Sequence, residues 1–190
     1  MRQHINKLAR LGLTAGLAGF LAAGAALPAL AADTVTQSIN AGSRTASVAD
    51  LTLTAVAYSH AAQSSPGSMT LTADDSTGSG AGWNVTILTS AFVYSGGFSG
   101  TNIPAANFSL TSAAGPAMTA GQAVDVTGGP KVPSTSPVGT LDSARKVVQA
   151  NAAFGQGTYT QAEGVSLSIP AQSRAGTYIG TLTTTISAAP

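Results

Sequence analysis

The sequence contains no cysteine, which excludes a disulfide framework, a thiolate metal site and a lipid-modified cysteine. Charged residues make up only 8% of the chain, too few for the basic surface that would neutralise a run of phosphates, so we predict no nucleic-acid partner. Long apolar runs are confined to the N-terminal region, and no later stretch predicts a transmembrane segment. These absences favour an exported protein that is released or held non-covalently.

Residues 1–31 have the features of a cleaved secretory signal peptide. Three basic residues precede an uncharged Ala/Leu/Gly stretch that ends in the small residues Ala29-Leu30-Ala31. The stretch is long enough for a membrane anchor, but its glycines and Pro28 favour cleavage after Ala31. We therefore predict a single mature domain over residues 32–190. In this part of the chain five bases remain against seven acids, a net charge of −2.

The mature chain is rich in short runs in which apolar and hydroxylated residues alternate, a pattern typical of β-strands. The clearest run is VSLSIP, which ends at Pro170 and places Val165 and Leu167 on one face. A second run, TYIGTLTTTIS, places Tyr178, Leu182 and Ile186 on one face and threonines on the other. We predict that these two runs form a terminal hairpin.

Further alternating runs predict more strands in DLTLTAVAY, SMTLTA, WNVTILTS, NFSLTS and, more weakly, TVTQSI. LDSARKVVQA fits a short helix or a strand, and its periodicity does not separate the two. Gly/Pro/Ser clusters such as SSPGS, SGGFSG and TGGPKVPSTSP predict turns between the runs. Many short strands without a sustained helical pattern predict an all-β fold, an antiparallel β-sandwich of the Ig-like type.

The stretch DDSTGSGAGWNVTI, residues 74–87, combines two carboxylates, three alternating glycines and the only tryptophan. Adjacent Asp residues in an extended chain point to opposite faces, and the acid spacing of a calcium loop is absent, so we predict no metal site. The same geometry argues against a glycosidase pair, although Asp125, Asp142 and Glu163 stay open as distant partners. Turn chemistry explains the stretch better: Asp caps the backbone, and the glycines supply positive φ values.

Other catalytic signatures are scarce. His60 is the one histidine of the predicted mature chain, and neither a Gly-x-Ser-x-Gly elbow nor a phosphate-binding loop occurs. We therefore predict a protein that is not an enzyme and that needs no cofactor.

The segment D75-S-T-G-S-G-A-G-W83-N-V and the distal segment Y178-I-G-T-L-T-T-T-I186-S-A-A-P190 together resemble the WxL domain of bacterial surface proteins. The stretch IPAQSRAGTY, which precedes the distal segment, is also similar to that family. Two positions depart from its pattern. Val85 replaces the motif leucine, and Thr184 stands where the distal tryptophan is expected.

The WxL family is associated with non-covalent attachment to cell-wall peptidoglycan, and its two Trp-bearing motifs are implicated in that attachment. The resemblance therefore implies a secreted cell-surface protein that binds the wall through motif residues, here Trp83, Val85, Tyr178, Leu182 and Ile186. Two interpretations of Trp83 remain. Its phase with an aliphatic face favours a core anchor, whereas an exposed indole would stack on a glycan or a partner chain.

A second hypothesis is an assembly subunit that polymerises by adding a strand to a neighbouring sheet. The stretch ADTVTQSI, which follows the predicted cleavage site, and the Thr-rich final strand are the candidate edges. The partners would then be copies of this chain or other surface proteins.

Overall fold

The computed structural model describes residues 34–135 and 137–188, so the predicted signal peptide lies outside the described residues. The described residues form eleven β-strands and one 3₁₀ turn at Ala105–Asn107. The strands are β1 Arg44–Val48, β2 Gln63–Asp75, β3 Trp83–Thr89, β4 Val93–Ser95, β5 Phe108–Ala113, β6 Ala117–Gly121, β7 Gly139–Thr140, β8 Arg145–Ala150, β9 Gly157–Ile169, β10 Thr177–Ile179 and β11 Leu182–Ala188.

All strand pairs are antiparallel, and they form three sheets. The large sheet has the order β1-β2-β9-β5-β7, and β6 also pairs with β9. The second sheet has the order β11-β3-β8, and β10 pairs with β4 in a small third sheet. The predicted all-β antiparallel fold is therefore confirmed, whereas an Ig-like strand topology stays a prediction.

The core is built from the inward faces of the first two sheets. Alternate residues of β2, β5 and β9 supply one side, and the buried residues of β3 and β8 supply the other, in one continuous cluster. Period-2 alternation is what sends one set of side chains inward and leaves Thr and Ser outside. Each fully buried aliphatic side chain stabilises the packing by about 1.5–3 kcal/mol.

Two polar side chains interrupt the inward face of β9. Gln161 and Glu163 are both buried between Tyr159 and Val165, which are apolar positions of the same face. Gln161 donates from Nε2 to the carbonyl oxygens of Ala114, at 2.8 Å, and Val147, at 3.2 Å. Neither carboxyl oxygen of Glu163 has a hydrogen-bond partner among the described residues, and burial raises the pKa of Glu163 to about 8. Glu163 therefore favours its neutral form in the fold.

Several strand predictions are confirmed with changed limits. WNVTILTS gives β3, NFSLTS gives β5, and the ambiguous LDSARKVVQA contains strand β8 rather than a helix. The cluster SSPGS does not form the predicted turn, because β2 runs through it from Gln63. Pro66 is tolerated there because β1 pairs only with the distal half of β2, which leaves this edge unpaired next to the proline.

The predicted terminal hairpin is wrong. VSLSIP belongs to β9 in the large sheet, whereas TYIGTLTTTIS divides into β10 and β11, which pair with β4 and β3. The connection of the two runs is long enough to cross between sheets, and each run finds its partners far away in sequence. Alternation indicated strands correctly but carried no information about their partners.

Two other predicted strands are also wrong. Residues 34–40 contain no strand, and Val35 and Ile39 are 95% and 94% exposed. Residues 50–58 contain none either, although Leu51 and Leu53 pack against the core while Thr52 and Thr54 are exposed. Its sequence alternates as a strand does, but no strand in the described part of the chain pairs with its backbone.

Candidate functional site

The two motif segments lie side by side as the paired strands β3 and β11. In the register, Trp83 is opposite Ala188, Val85 is opposite Ile186, and Ile87 is opposite Thr184. About a hundred residues separate these strands in the sequence, so only the antiparallel sheet brings them together. The structure therefore joins both motifs into one surface element.

Trp83 is completely buried at the beginning of β3. Its Nε1 donates a hydrogen bond to the carbonyl oxygen of Gly155 at 2.8 Å, and its ring lies 6.1 Å from that of Tyr159. Gly155 has a φ of +76°, and a Cβ at this position would lie 2.7 Å from the indole nitrogen. The complete burial of the indole decides between the two interpretations of Trp83. The indole is a core anchor, and it presents no surface to a ligand.

The Asp/Gly stretch before Trp83 is a hydrogen-bonded turn. Asp75 accepts hydrogen bonds from the backbone N–H of Thr77 at 3.1 Å and from its hydroxyl at 2.6 Å, and Arg44 donates to it at 2.9 Å. Burial alone would raise the pKa of Asp75, but the hydrogen bonds from Thr77 and Arg44 outweigh it and lower the pKa below its usual value. Gly78, Gly80 and Gly82 have positive φ, as the turn interpretation requires.

The remaining carboxylates also have structural surroundings. Asp125 accepts hydrogen bonds from the backbone N–H groups of Thr127 and Gly128, which lower its pKa, and Asp142 accepts one from the Thr140 hydroxyl. Glu163 is enclosed in the core. Within residues 34–135 and 137–188, no group of three or more metal-ligating side chains comes together. The structure thus brings none of these acids to the Asp74–Asp75 pair across a cleft.

The outward side of β3 and β11 carries a row of hydroxyl and amide groups. We call it the Thr/Ser face, and it consists of Asn84, Thr86, Thr183, Thr185 and Ser187. The three residues from β11 are exposed and the two from β3 are half-buried. Lys146 of β8 lies opposite Thr86, at the side of this face. Val85, Leu182 and Ile186 of the same strands point to the other side and pack in or against the core. The half-buried Leu88, opposite Thr183, lies on the outward side with the Thr/Ser face.

Tyr178 lies beyond the opposite end of β3 from Trp83. Its ring is 5.2 Å from that of Tyr94, which it faces across the β4–β10 pair. Its hydroxyl donates to the carbonyl oxygen of Arg174, and the Tyr94 hydroxyl donates to that of Ala175, both at 2.9 Å. Both tyrosines are half-buried.

A groove of about 560 Å³ opens beside this tyrosine pair. We call it the Tyr178 groove, and it is lined mainly by residues 51–59 and 173–180. Its volume falls within the roughly 300–1,000 Å³ of ordinary ligand sites. A second cavity of about 440 Å³ shares Leu51, Leu53, Phe92 and Ile179 with it and extends to Leu182.

The five residues predicted as a binding site are therefore distributed over two ends and two environments. Trp83 and Val85 are in the core, and Leu182 and Ile186 are half-buried against it. Tyr178 lines the Tyr178 groove, and Leu182 lines the second cavity. Sequence reasoning missed Tyr94 and the groove wall formed by residues 51–59. Tyr94 stands just before a Gly-rich cluster, and that position was the one available signal.

Comparison with known families identifies the family of this chain. The family model described as WxL domain, surface cell wall-binding, matches residues 26–190. The chain belongs to the WxL family. As a WxL domain it is a cell-wall-binding domain located at the cell surface. Comparisons with curated proteins and with solved structures gave no match.

No helix in the described part of this WxL domain is long and apolar enough to cross a membrane.

Proposed function

We propose that this WxL domain is the mature part of a secreted, non-enzymatic protein that binds peptidoglycan non-covalently through the Thr/Ser face. The observation that carries the proposal is the pairing of β3 with β11, because it aligns hydroxyl and amide groups from both motif segments on one side of a sheet. The family match over residues 26–190 supports the wall as the ligand.

The chemistry of this face suits a polysaccharide. Hydroxyl and amide side chains both donate and accept hydrogen bonds, as do the hydroxyl and N-acetyl groups of a glycan strand. Lys146, beside Thr86, adds a positive charge near which an acidic peptide stem would be favourable. A row of such groups along two rigid strands would hold a polymer through many individually weak contacts.

The core residues of the same strands have an indirect role in this proposal. The core packing of Trp83, Val85 and Ile186 fixes the position and register of β3 and β11. These residues therefore position the outward hydroxyls without contacting the wall. Thr184 shares the inward side with Leu182 and Ile186. Replacement of the family's distal tryptophan at this position therefore alters packing and leaves the outward row intact.

Binding to purified peptidoglycan sacculi tests the proposal. The variant Thr183→Val/Thr185→Val removes two exposed hydroxyls and keeps β-branched side chains in the strand. Each lost hydrogen bond is worth about 1 kcal/mol, so the loss of two predicts roughly thirtyfold weaker binding in a co-sedimentation assay. Folding should be unaffected because both side chains are exposed.

The matched control is Thr70→Val/Thr72→Val, which removes two hydroxyls from the outward side of β2 in the other sheet. It should bind sacculi as the unaltered protein does. Equal loss in both variants would contradict the Thr/Ser face, and no binding by the unaltered protein would contradict peptidoglycan as the ligand.

The secreted and non-enzymatic parts of the proposal have separate tests. Mass spectrometry of protein taken from the cell surface should find a mature chain that begins at residue 32, after the predicted cleavage site. Incubation with sacculi should release no soluble glycan or peptide fragments. A retained N-terminal segment or measurable fragment release would contradict the respective part.

A further inference from the structure

We propose that the Tyr178 groove accepts residues 34–40 of a second copy of this chain as an added β-strand, which links neighbouring molecules on the surface. This self-association goes beyond wall binding and uses different residues. It gives the strand-addition hypothesis a defined donor and a defined acceptor.

The first line of argument is the backbone of residues 50–58. This segment has the alternation of a strand, yet no backbone–backbone hydrogen bond involves it among the described residues. Its backbone accepts a hydrogen bond from a side chain, since the Ser65 hydroxyl donates to the Thr54 carbonyl oxygen at 2.9 Å. At its end the Ser59 carbonyl accepts from the N–H of Gln172, so the segment is held in place beside the groove. Extended backbone with unused N–H and C=O groups is a template for another strand.

The second line is the edge of β10. Among the described residues β10 pairs only with β4, so its other edge is not hydrogen-bonded to a strand. Residues 173–180, which include β10, line the groove together with residues 51–59. A strand placed in the groove would therefore meet the free edge of β10 on one side and the unpaired backbone of residues 51–58 on the other. Addition of a strand to such an edge is a recurring mode of association.

The third line is the exposed apolar surface at this place. Val56, Tyr58 and Ile179 line the groove and are 40%, 52% and 63% exposed. Large apolar side chains clustered around a groove indicate an interaction site more often than isolated ones do. Arg174 is the only charged residue of the groove lining, so a strand of neutral or weakly acidic character fits it.

The proposed donor, residues 34–40, has the neutral and partly apolar character that fits the groove. Residues 34–40, TVTQSIN, are uncharged, follow Asp33 and contain no strand in the described structure. Val35 and Ile39 are four residues apart, so in an extended strand both side chains would lie on the same face. Both are almost fully exposed. With a signal peptide removed after Ala31, as proposed above, this segment would be an N-terminal arm. That arm would bring to the groove two apolar side chains and its own unpaired backbone.

The absence of cysteine makes a cross-linking experiment specific. The mature variants Ile39→Cys and Ile179→Cys are mixed and treated with a short thiol-reactive cross-linker. We expect heterodimers between the two variants to form severalfold faster than dimers in a mixture of Ile39→Cys with Thr70→Cys, in which the second thiol lies on the outward side of β2. An equal rate in both mixtures would overturn the proposal.

A chain carrying both Ile39→Cys and Ile179→Cys distinguishes a second copy from the same molecule. Cross-linked dimers and larger species support the proposal. Cross-linking within single chains, at a rate independent of protein concentration, would mean that the arm fills its own groove and would overturn it.

Sedimentation of the cysteine-free mature protein provides an independent measurement. We expect association that increases with concentration and that is about a hundredfold weaker in Val35→Asp/Ile39→Asp, because two apolar contacts are lost. This variant changes exposed residues outside every strand, so it should fold normally. A monomer at all concentrations, or association unchanged by the variant, would overturn the proposal.

Sacculus binding measured on the same variant separates the two proposals. The arm and the Thr/Ser face share no residue, so Val35→Asp/Ile39→Asp should still sediment with sacculi. Loss of self-association with retained wall binding supports both proposals. Loss of both wall binding and self-association in this variant would overturn the proposal that the arm acts separately from the Thr/Ser face.

Discussion

The two ends of β3 differ in how completely their polar and apolar groups are partnered. At the Trp83 end, the indole, Asp75 and the glycine turn form a closed network of hydrogen bonds and buried contacts. At the Thr89 end, the Tyr178 groove is open, and residues 51–58 of its wall make no backbone–backbone hydrogen bond to any other described residue. Stability is therefore concentrated at the first end, and the capacity to accept a partner is concentrated at the second.

The largest expected effect on stability concerns the closed end of β3, at Trp83. Trp83→Ala should lower the free energy of unfolding by about 3–5 kcal/mol, because a fully buried aromatic side chain leaves a large cavity. Urea denaturation followed by circular dichroism measures the loss. Tyr178→Ala, at the open end, is the comparison and should cost clearly less because its ring is half-buried. Equal losses would mean that the two ends are equally packed.

The next effect concerns Glu163, which lies on β9 in the core. Its pKa of about 8 in the fold is above the ordinary value of 4.5, so the folded state binds more protons than the unfolded state between these values. Stability should therefore fall as pH rises from about 4.5 to 8 and level off above that. The full shift from 4.5 to about 8 corresponds to at most about 5 kcal/mol, so the loss over this window should be roughly 2–5 kcal/mol.

Glu163→Gln tests the assignment of this pH dependence. The amide has nearly the same shape and does not titrate, so the fall in stability between about pH 4.5 and 8 should disappear. Denaturation midpoints at pH 5, 7 and 9 measure it. A fall that persists in the variant would assign the effect to another group.

Asp75 should give a smaller effect of opposite sign at the closed end. Its pKa is lowered in the fold, so its contribution is present above the ordinary value of 3.8 and is lost as pH falls below it. Asp75→Asn should cost about 1–3 kcal/mol at neutral pH, because Arg44 loses its charged partner. The exposed Asp142→Asn is the control and should change the denaturation midpoint little.

The smallest expected effect on stability concerns the open end of β3, at the Tyr178 groove. Tyr178→Phe removes the hydrogen bond from its hydroxyl to the Arg174 carbonyl, and we expect a loss of about 0.5–1.5 kcal/mol. Tyr58→Phe is the matched control, since the Tyr58 hydroxyl makes no hydrogen bond among the described residues. Thermal unfolding of both variants measures the difference. A larger loss than that of Asp75→Asn would show that the groove end is not the weaker one.

The fold class was predictable from local pattern, and the candidate site was predictable only in part. Alternation in WNVTILTS placed Trp83 in phase with Val85 and Ile87, and all three are buried. The glycine turn before Trp83 was predictable because positive φ and Asp capping are local properties. Tyr178 was found through the family resemblance, whereas Tyr94 was missed because its partner is 84 residues away in sequence.

The sequence by itself determined that this chain forms β-strands with apolar and hydroxylated faces, because side-chain direction alternates with every residue of extended backbone. It also determined the family through the two motif segments. Only the tertiary structure decided which strands pair and that VSLSIP and the final strand lie in different sheets. It also decided that residues 50–58 have no strand partner within residues 34–135 and 137–188. Pairing depends on contacts between residues distant in the chain, and local alternation is compatible with many partners.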